Sequence, residues 1–152
     1  MADMRIRAVR SDDYAQWRVL WDAYNTFYGR TGDLVLPEAV TQTTWARCLD
    51  PGEPVFALIS ESAGRITGFA HYLFHRSTSA VADSCYLQDL FVGRAGRRQG
   101  AGRALVLAVC AAAEAADSPR LYWHTQAHNR AARRLYDQVA RKSAFIVYRR
   151  EV

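Results

Sequence analysis

The sequence is poor in residues that define several protein classes. It contains 3 cysteines and 4 prolines, and only one of its 20 basic residues is a lysine. An odd number of cysteines without a Cys-x-x-Cys spacing argues against a disulfide framework and a zinc cluster. Few prolines and glycines beside 50% hydrophobic residues argue against disorder or low-complexity sequence. We therefore expect a globular protein in the reducing cytoplasm.

Long hydrophobic runs are also lacking. The most apolar stretch, Ala104 to Ala116, is far shorter than the roughly 20 residues that span a bilayer. The first residues, Met1 to Arg7, alternate charged and apolar side chains and do not form the apolar core of a signal peptide. A length of 152 residues suits one ordinary domain. We predict a single domain over residues 1–152 with no membrane partner.

The two halves of the sequence differ in charge. Residues 1–90 contain 8 basic and 11 acidic residues, and residues 91–152 contain 12 basic and 4 acidic residues. An anion would therefore bind in the C-terminal half, although a solvated basic face explains the same excess. A nucleic-acid-binding module would carry stacking aromatics on its basic face, whereas the aromatics here gather in the acidic half. We predict no nucleic-acid partner.

Hydrophobic periodicity and turn residues predict an α/β (α+β) fold. Alternating or continuous apolar runs predict strands at 5–10, 55–60, 65–74, 85–92, 121–125 and 144–149. Helical spacing predicts helices at 14–28, 37–49, 100–116 and 129–140. Because strands and helices alternate in the second half, a sheet of mixed direction is expected.

A loop rich in glycine and arginine follows the strand at 85–92. It consists of Arg97, Arg98, Gln99, Gly100, Ala101, Gly102 and Arg103. Glycines let backbone amides approach an anion, the following helix adds partial positive charge at its N-terminus, and arginines add charge-assisted contacts. The sequence has neither a Gly-Lys-Ser/Thr P-loop nor a dinucleotide fingerprint. The loop predicts a phosphate site, with a tight structural turn as the alternative.

Four motifs follow one another over residues 85–149. They are LQDLFV at 87–92, R-x-x-G-x-G at 97–102, WHT at 123–125 with N-x-x-A-x-x-L-Y at 129–136, and FIVYR at 145–149. Together they resemble the GNAT superfamily of acetyl-coenzyme A dependent N-acetyltransferases, in particular its diamine and histone/polyamine-type members. The resemblance implies a central mixed sheet of about six to seven strands, a splay between two parallel strands, and about four flanking helices.

The resemblance also implies roles on the donor side. Acetyl-coenzyme A would be the cofactor, with its pyrophosphate on residues 97–103. The contacts implied for its pantetheine arm are Leu90, Phe91, Val92, Asn129 and Ala132. Tyr136 would be the general acid for the leaving thiolate, since its phenol is neutral at pH 7. The alternative is that Tyr136 only packs in an amphipathic helix.

The acceptor side is less well defined. Gln88 stands where diamine-type enzymes carry a glutamate, and a carboxamide can orient an amine but cannot accept its proton. Strand alternation directs the neighbouring Asp89 to the opposite face, so the general base stays unassigned. The candidate acceptor contacts are aromatic: Trp21, Tyr24, Tyr28 and Trp123. Packing of the first helix on the sheet is the alternative explanation of its aromatic stripe. The four histidines are scattered, and we predict no metal site.

The sequence therefore predicts an N-acetyltransferase that moves acetyl to a primary amine by direct attack in a ternary complex. The alternative is a catalytically silent module that binds acyl-coenzyme A. A small-molecule amine, a polyamine and a protein amine all stay open as acceptors. The strand at 144–149 could pair with or exchange into a second chain, and the resemblance implies a homodimer.

Overall fold

The strands form one sheet in the computed structural model, which describes residues 3–152. The strands are β1 (Met4–Ala8), β2 (Val55–Ser62), β3 (Arg65–His75), β4 (Ser84–Val92) and β5 (Leu121–Tyr122). The helices are α1 (Tyr14–Phe27), α2 (Glu38–Leu49), α3 (Ala101–Ala115) and α4 (Arg130–Val139). The strand order is β1-β2-β3-β4-β5, with antiparallel neighbours except for the parallel pair β4 and β5. The predicted mixed α/β fold with four α-helices is confirmed.

The expected number of strands is wrong. Residues 3–152 contain five strands rather than six to seven. The strand predicted at 144–149 does not form, and Phe145, Ile146 and Tyr148 are 92%, 74% and 90% exposed. β-Propensity acts through packing on neighbouring strands, and this segment has none beside it. The strand predicted at 121–125 is shortened to Leu121–Tyr122.

The two parallel strands pair only where they begin. Cys85 lies opposite Leu121 and Tyr86 opposite Tyr122. β4 then continues to Val92, whereas the chain after Tyr122 leaves the sheet. The divergence agrees with the predicted splay, and it leaves one edge of β4 beyond Tyr86 without a strand partner in the described chain.

The sheet separates two apolar cores. On one face, α1 and α2 cover a cluster that includes Trp17, Trp21, Trp45 and Phe69. On the other face, α3 covers a cluster built around Leu87, Leu105 and Val109. The aromatic stripe of α1 is therefore largely core, as its structural interpretation predicted. None of the helices described is long and apolar enough to cross a membrane.

Asp13 fixes the start of α1. Its carboxylate accepts a hydrogen bond from the backbone N–H of Arg10 at 2.7 Å and pairs with Arg7 at 2.7 Å. The hydrogen bond from Arg7 lowers the pKa of Asp13 below its usual value. Arg7 also pairs with Glu61 of β2 at 2.8 Å. The helix that carries the aromatic stripe is thereby tied to the first two strands of the sheet.

Candidate active site

The loop between β4 and α3 presents backbone amides at a helix N-terminus. Gly100, which precedes α3, has a φ of 78°, in the left-handed region that favours glycine. The amide of Ala104 donates to the carbonyl of Gly100 at 3.0 Å. The amides of Ala101, Gly102 and Arg103 precede this first helical bond, so the helix offers them no acceptor. These amides and the helix dipole together favour an anion.

Two other glycines of this region allow close packing. A Cβ at Gly96 would lie 2.8 Å from Cβ of Thr67, and a Cβ at Gly102 would lie 3.2 Å from Cδ2 of Leu135. A Cβ at Gly100 would have no protein atom within 4 Å. Gly96 and Gly102 therefore hold the loop against β3 and α4, whereas Gly100 is needed for its backbone angle.

The polar side chains of the loop have two different arrangements. Arg97 and Gln99 donate to backbone carbonyls at the start of the same loop, at 3.4 and 3.0 Å. Arg98 and Arg103 are exposed, and neither pairs with a carboxylate within residues 3–152. Arg97 and Gln99 thus shape the loop, and Arg98 and Arg103 are available to phosphate groups.

Three of the residues predicted to contact pantetheine, Leu90, Phe91 and Val92, lie on the part of β4 that has lost its parallel neighbour. Leu90 and Val92 pack against the core beneath α3, whereas Phe91 packs against the core beneath α1. Because β4 has no strand beside it on this edge beyond Tyr86 within residues 3–152, the backbone of these residues can bond to an extended, amide-containing chain as an added strand would. Asn129 has a visible structural role, because its side-chain oxygen accepts from the amide of Ala132 at 3.3 Å and caps α4.

A β-bulge at Gln88 changes the orientation of its neighbour. His71 of β3 lies opposite Asp89, and Tyr72 lies opposite Leu87, so Gln88 is the extra residue on β4. Gln88 and Asp89 consequently line the same cavity. The expectation that alternation directs Asp89 away from Gln88 is wrong, because the bulge interrupts the period of two.

This cavity of about 280 Å³ lies between α1, α2 and the sheet. Eight of its lining side chains carry polar or aromatic groups: Trp21, Arg30, Thr44, Arg47, His71, Tyr72, Gln88 and Asp89. Charged groups of both signs therefore share one concave site. Such a site suits a small polar ligand.

A chain of buried hydrogen bonds ends at Asp89. The Tyr24 hydroxyl donates to Oδ1 of Asp89 at 2.6 Å, and Nδ1 of His71 lies 2.9 Å from Oδ2. The indole N–H of Trp17 donates to Nε2 of His71 at 3.0 Å. Since an indole can only donate, Nε2 must accept, and the proton of the neutral imidazole is then on Nδ1, which donates to Asp89. Burial, with the nearby charge of Asp89, raises the pKa of Tyr24, so its phenol stays protonated.

Arg30 is held in place at the cavity wall. Its Nη1 donates to Oδ1 of Asn25 at 2.7 Å, and Nδ2 of Asn25 donates to the carbonyl of Trp21 at 2.9 Å. The guanidinium carbon lies 5.7 Å from the centre of the Tyr28 ring. Within residues 3–152, neither Arg30 nor Arg47 pairs with a carboxylate. Their charges are available to an anionic group in the cavity.

Tyr136 projects from α4 towards the same region. Its ring packs against Trp123 with centroids 5.3 Å apart. Burial raises the pKa of Tyr136 to about 12, and the neighbouring Tyr28 contributes to the shift. Tyr28 in turn lies 4.9 Å from Tyr24, centroid to centroid. Tyr136 therefore lies near the end of the aromatic stripe of α1, of which Tyr24 is bound to Asp89.

The predicted acceptor contacts have different surroundings. Trp21 lines the cavity and donates to Thr41 of α2 at 3.0 Å, and Tyr24 is bound to Asp89. Tyr28 is half-buried beside Tyr24. Trp123 instead packs against the core beneath α3. Trp21 is thus the one of these four aromatic residues that the cavity includes directly.

Sequence reasoning did not identify four contributors to the site: His71, Asp89, Arg30 and Arg47. His71 is a polar residue inside the apolar run of β3, and this was a usable signal, because a buried histidine needs partners. Arg30 lies in the loop after α1, and no sequence motif marks it as a site residue. The orientation of Asp89 depends on the bulge, for which the sequence offered no marker.

Comparison with known proteins shows the family to which the chain is similar. A family model described as the acetyltransferase (GNAT) family matches residues 14–140. The chain is 33% identical over 147 residues to the D-amino-acid N-acetyltransferase HPA3 of Saccharomyces cerevisiae, which covers 95% of this chain and 89% of the yeast protein. It is also 33% identical over 135 residues to the uncharacterized N-acetyltransferase YhfO of Bacillus subtilis, covering 89% of this chain and 87% of that protein.

Solved structures share the fold at lower identity. The aminoglycoside acetyltransferase AAC(6')-Iy in complex with a bisubstrate analogue has a TM-score of 0.82 at 15% identity, covering 99% of both chains. A probable acetyltransferase has a TM-score of 0.83 at 19% identity, covering 97% of both chains. The family match and the N-acetyltransferase relatives show that the protein is an acyltransferase enzyme. The chain belongs to the GNAT family of acetyltransferases.

Proposed function

We propose that this enzyme transfers the acetyl group of acetyl-coenzyme A to the primary amine of an α-amino acid. The donor's pyrophosphate would lie on the amides that begin α3, between Arg98 and Arg103. Its pantetheine arm would follow the unpaired edge of β4. The acceptor would occupy the cavity beside Gln88, so that the amine and the thioester meet at the bulge.

The observation that carries the choice of acceptor is the pairing of charges in the cavity. Arg30 and Arg47 can bind a carboxylate, and Asp89 can attract an ammonium group. An α-amino acid carries both groups, whereas a polyamine offers only cations and would meet two arginines. The yeast relative named as a D-amino-acid N-acetyltransferase supports the same class of acceptor.

The reaction would proceed by direct attack. The unprotonated amine forms a C–N bond to the thioester carbonyl, and the carbonyl electrons move to oxygen. When they return, the C–S bond breaks and the sulfur leaves as a thiolate that accepts a hydrogen bond from Tyr136. The nitrogen loses its second proton to water, and the thiolate takes one from water. Transfer thus consumes one ammonium group and releases one proton.

The test measures release of coenzyme A thiol with three acceptors of matched side chain. These are an α-amino acid in both enantiomers, its carboxamide, and the amine that lacks the carboxyl carbon, with a diamine added as the polyamine-type alternative. We expect the amino acid to be preferred at least tenfold in kcat/KM. Preference for the diamine would overturn the assigned acceptor, and acetyl-coenzyme A binding without thiol release from any amine would favour the silent module.

Replacement of one arginine tests the carboxylate contact. Arg30→Gln should reduce kcat/KM for the amino acid by about 10- to 100-fold, since a hydrogen bond to a charged group contributes about 1.5–3 kcal/mol. The carboxamide should be affected much less. Arg5→Gln, at an exposed position on β1 at the far edge of the sheet, is the matched control.

A further inference from the structure

The acceptor amine must lose a proton before it can attack. At pH 7 the α-ammonium form of an amino acid predominates over the unprotonated amine, and only the unprotonated amine attacks a thioester. Gln88 cannot take that proton, because a carboxamide carries no proton-accepting charge. Among the residues described, Asp89 is the one acidic side chain that lines the cavity. Asp89 is therefore the candidate to accept the proton of the ammonium group.

We propose that Asp89 is the general base of the reaction, and that Trp17 and His71 are positioning residues that keep its negative charge. The proposal rests on the function proposed above. In the step, the N–H bond of the ammonium group breaks, its electron pair stays on nitrogen, and the proton forms an O–H bond on Asp89. The carboxylic acid later returns the proton to water at the cavity mouth.

The hydrogen-bond chain explains why the charge stays on Asp89. A proton could leave the carboxyl group for His71 only if the imidazole had a vacant nitrogen. Nδ1 already carries the proton that it donates to Asp89, and Nε2 accepts from Trp17 at 3.0 Å. Protonating Nε2 would set an N–H against the indole N–H. His71 is therefore locked as a neutral donor, unlike a histidine that relays protons.

Asp89 keeps capacity for a new proton. A carboxylate has about four acceptor positions, of which Tyr24 and His71 occupy two. The side chain is 11% exposed, and it reaches the cavity wall beside Gln88. The bulge is essential here, because it brings Asp89 to the side on which the family's glutamate would stand at position 88. The carboxylate of this cavity is therefore at position 89, one residue after the position at which diamine-type enzymes carry their glutamate.

Several titratable groups surround Asp89 on the elements packed against it. They are Tyr24 and Tyr28 of α1, Arg30 after α1, Arg47 and Cys48 of α2, His71 of β3 and Tyr86 of β4. Burial raises the pKa of all three tyrosines and raises that of Cys48 to about 12. An arginine does not deprotonate in this range. The three tyrosines, Cys48 and the arginines therefore keep their charge between pH 7 and 9.

The decisive variant is Asp89→Asn, which removes the charge and keeps the shape. Its Oδ1 can accept from His71 and its amide can donate to the Tyr24 oxygen, whereas the Tyr24 hydroxyl proton loses the acceptor that Asp89 provides in the parent. We expect kcat/KM for the acceptor to fall by about 10² to 10⁴ at pH 7, the usual range for acid–base catalysis. The affinity for acetyl-coenzyme A should stay unchanged, which shows that the variant is folded.

The pH profile separates a base from a structural residue. Without Asp89, the enzyme must capture amine that is already unprotonated. The kcat/KM of Asp89→Asn should therefore rise about tenfold per pH unit from pH 7 to 9, and the parent profile should be much flatter. A loss with an unchanged profile would mean that Asp89 only supports the structure, and the proposal would fail.

Relocating the carboxylate provides a second test. Gln88→Glu combined with Asp89→Asn places an acid on the other cavity-lining residue of the bulge, and we expect it to restore activity at pH 7 at least tenfold over Asp89→Asn alone. Asp83→Asn, which removes a carboxylate bound to exposed Arg76 just before β4, is the control. Full activity of Asp89→Asn in an active parent would refute the base and leave the proposed function intact. An inactive parent would refute the proposed function itself.

Discussion

The Tyr136 hydroxyl offers a sharp test of how the thiolate leaves. Tyr136→Phe keeps the ring that packs against Trp123, so α4 should retain its position. Within residues 3–152, the hydroxyl has no hydrogen-bond partner, and it is not a buried unsatisfied atom. Removing the hydroxyl therefore deprives no other described polar group of a hydrogen-bond partner. Any large effect on turnover must come from the missing contact with the reacting sulfur.

The raised pKa of Tyr136 sets the size of the expected effect. A phenol with a pKa of about 12 is a weaker acid than a thiol of about 8.5, so complete proton transfer to the thiolate would be uphill by about 5 kcal/mol. Tyr136 should therefore act as a hydrogen-bond donor to the departing sulfur rather than as a full proton donor. A hydrogen bond to a charged group is worth about 1.5–3 kcal/mol, which corresponds to a fall in kcat of about 10- to 100-fold.

The same pKa predicts how the effect depends on pH. Because the phenol stays protonated well above pH 10, the ratio of parent to variant kcat should be constant from pH 6 to 10. The assay is release of coenzyme A thiol at saturating acceptor, with calorimetry to confirm unchanged donor affinity. Tyr148→Phe, at a 90% exposed position, is a matched hydroxyl deletion, because its hydroxyl also lacks a hydrogen-bond partner within residues 3–152. A kcat for Tyr136→Phe within threefold of the parent across this range would assign stabilisation of the sulfur to water or another residue.

Two further predictions concern the donor site and assembly. Gly100→Asp should abolish measurable acetyl-coenzyme A binding in calorimetry, since it strains a φ of 78° and adds negative charge at the anion site, whereas Gly64→Asp, at a φ of 75° in the β2–β3 turn, should not. Unchanged affinity in Gly100→Asp would move the pyrophosphate elsewhere. We also expect light scattering to give a dimer of the 17.1 kDa chain, and the pair Phe145→Ser with Ile146→Ser, in the exposed segment, to give a monomer. If the parent protein has the mass of one chain at every concentration, the predicted dimer is ruled out.

The fold was more predictable than the acceptor site. Helical spacing places Trp17, Trp21 and Tyr24 on one face of α1, and all three are buried as that spacing requires. The phosphate-site prediction for the loop before α3 was also possible from sequence, because its glycines and arginines are close together in the chain. By contrast, the segment at 144–149 has β-propensity, yet a strand exists only with a neighbour, and the sequence does not specify one.

Asp89 shows why acceptor chemistry was beyond local reasoning. Its orientation depends on how β4 aligns with β3, and the extra residue at Gln88 is a property of that pair of strands. Period-two alternation placed Gln88 and Asp89 on opposite faces, which made the carboxylate look unavailable. His71 and Asp89 are far apart in the sequence and meet only through this register. A site assembled from α1, β3 and β4 has no sequence motif of its own.

The bulge at Gln88 also connects the two substrates. Before it, Leu87 packs into the core beneath α3, and after it Leu90 and Val92 do the same, so the strand seals that core on both sides of the interruption. Between them, Gln88 and Asp89 can face the cavity without removing an apolar residue from the core. Beyond Tyr86, β4 has also lost its parallel neighbour. In the ternary complex proposed above, this one strand would offer its backbone edge to the extended donor and a buried charge on its face to the acceptor.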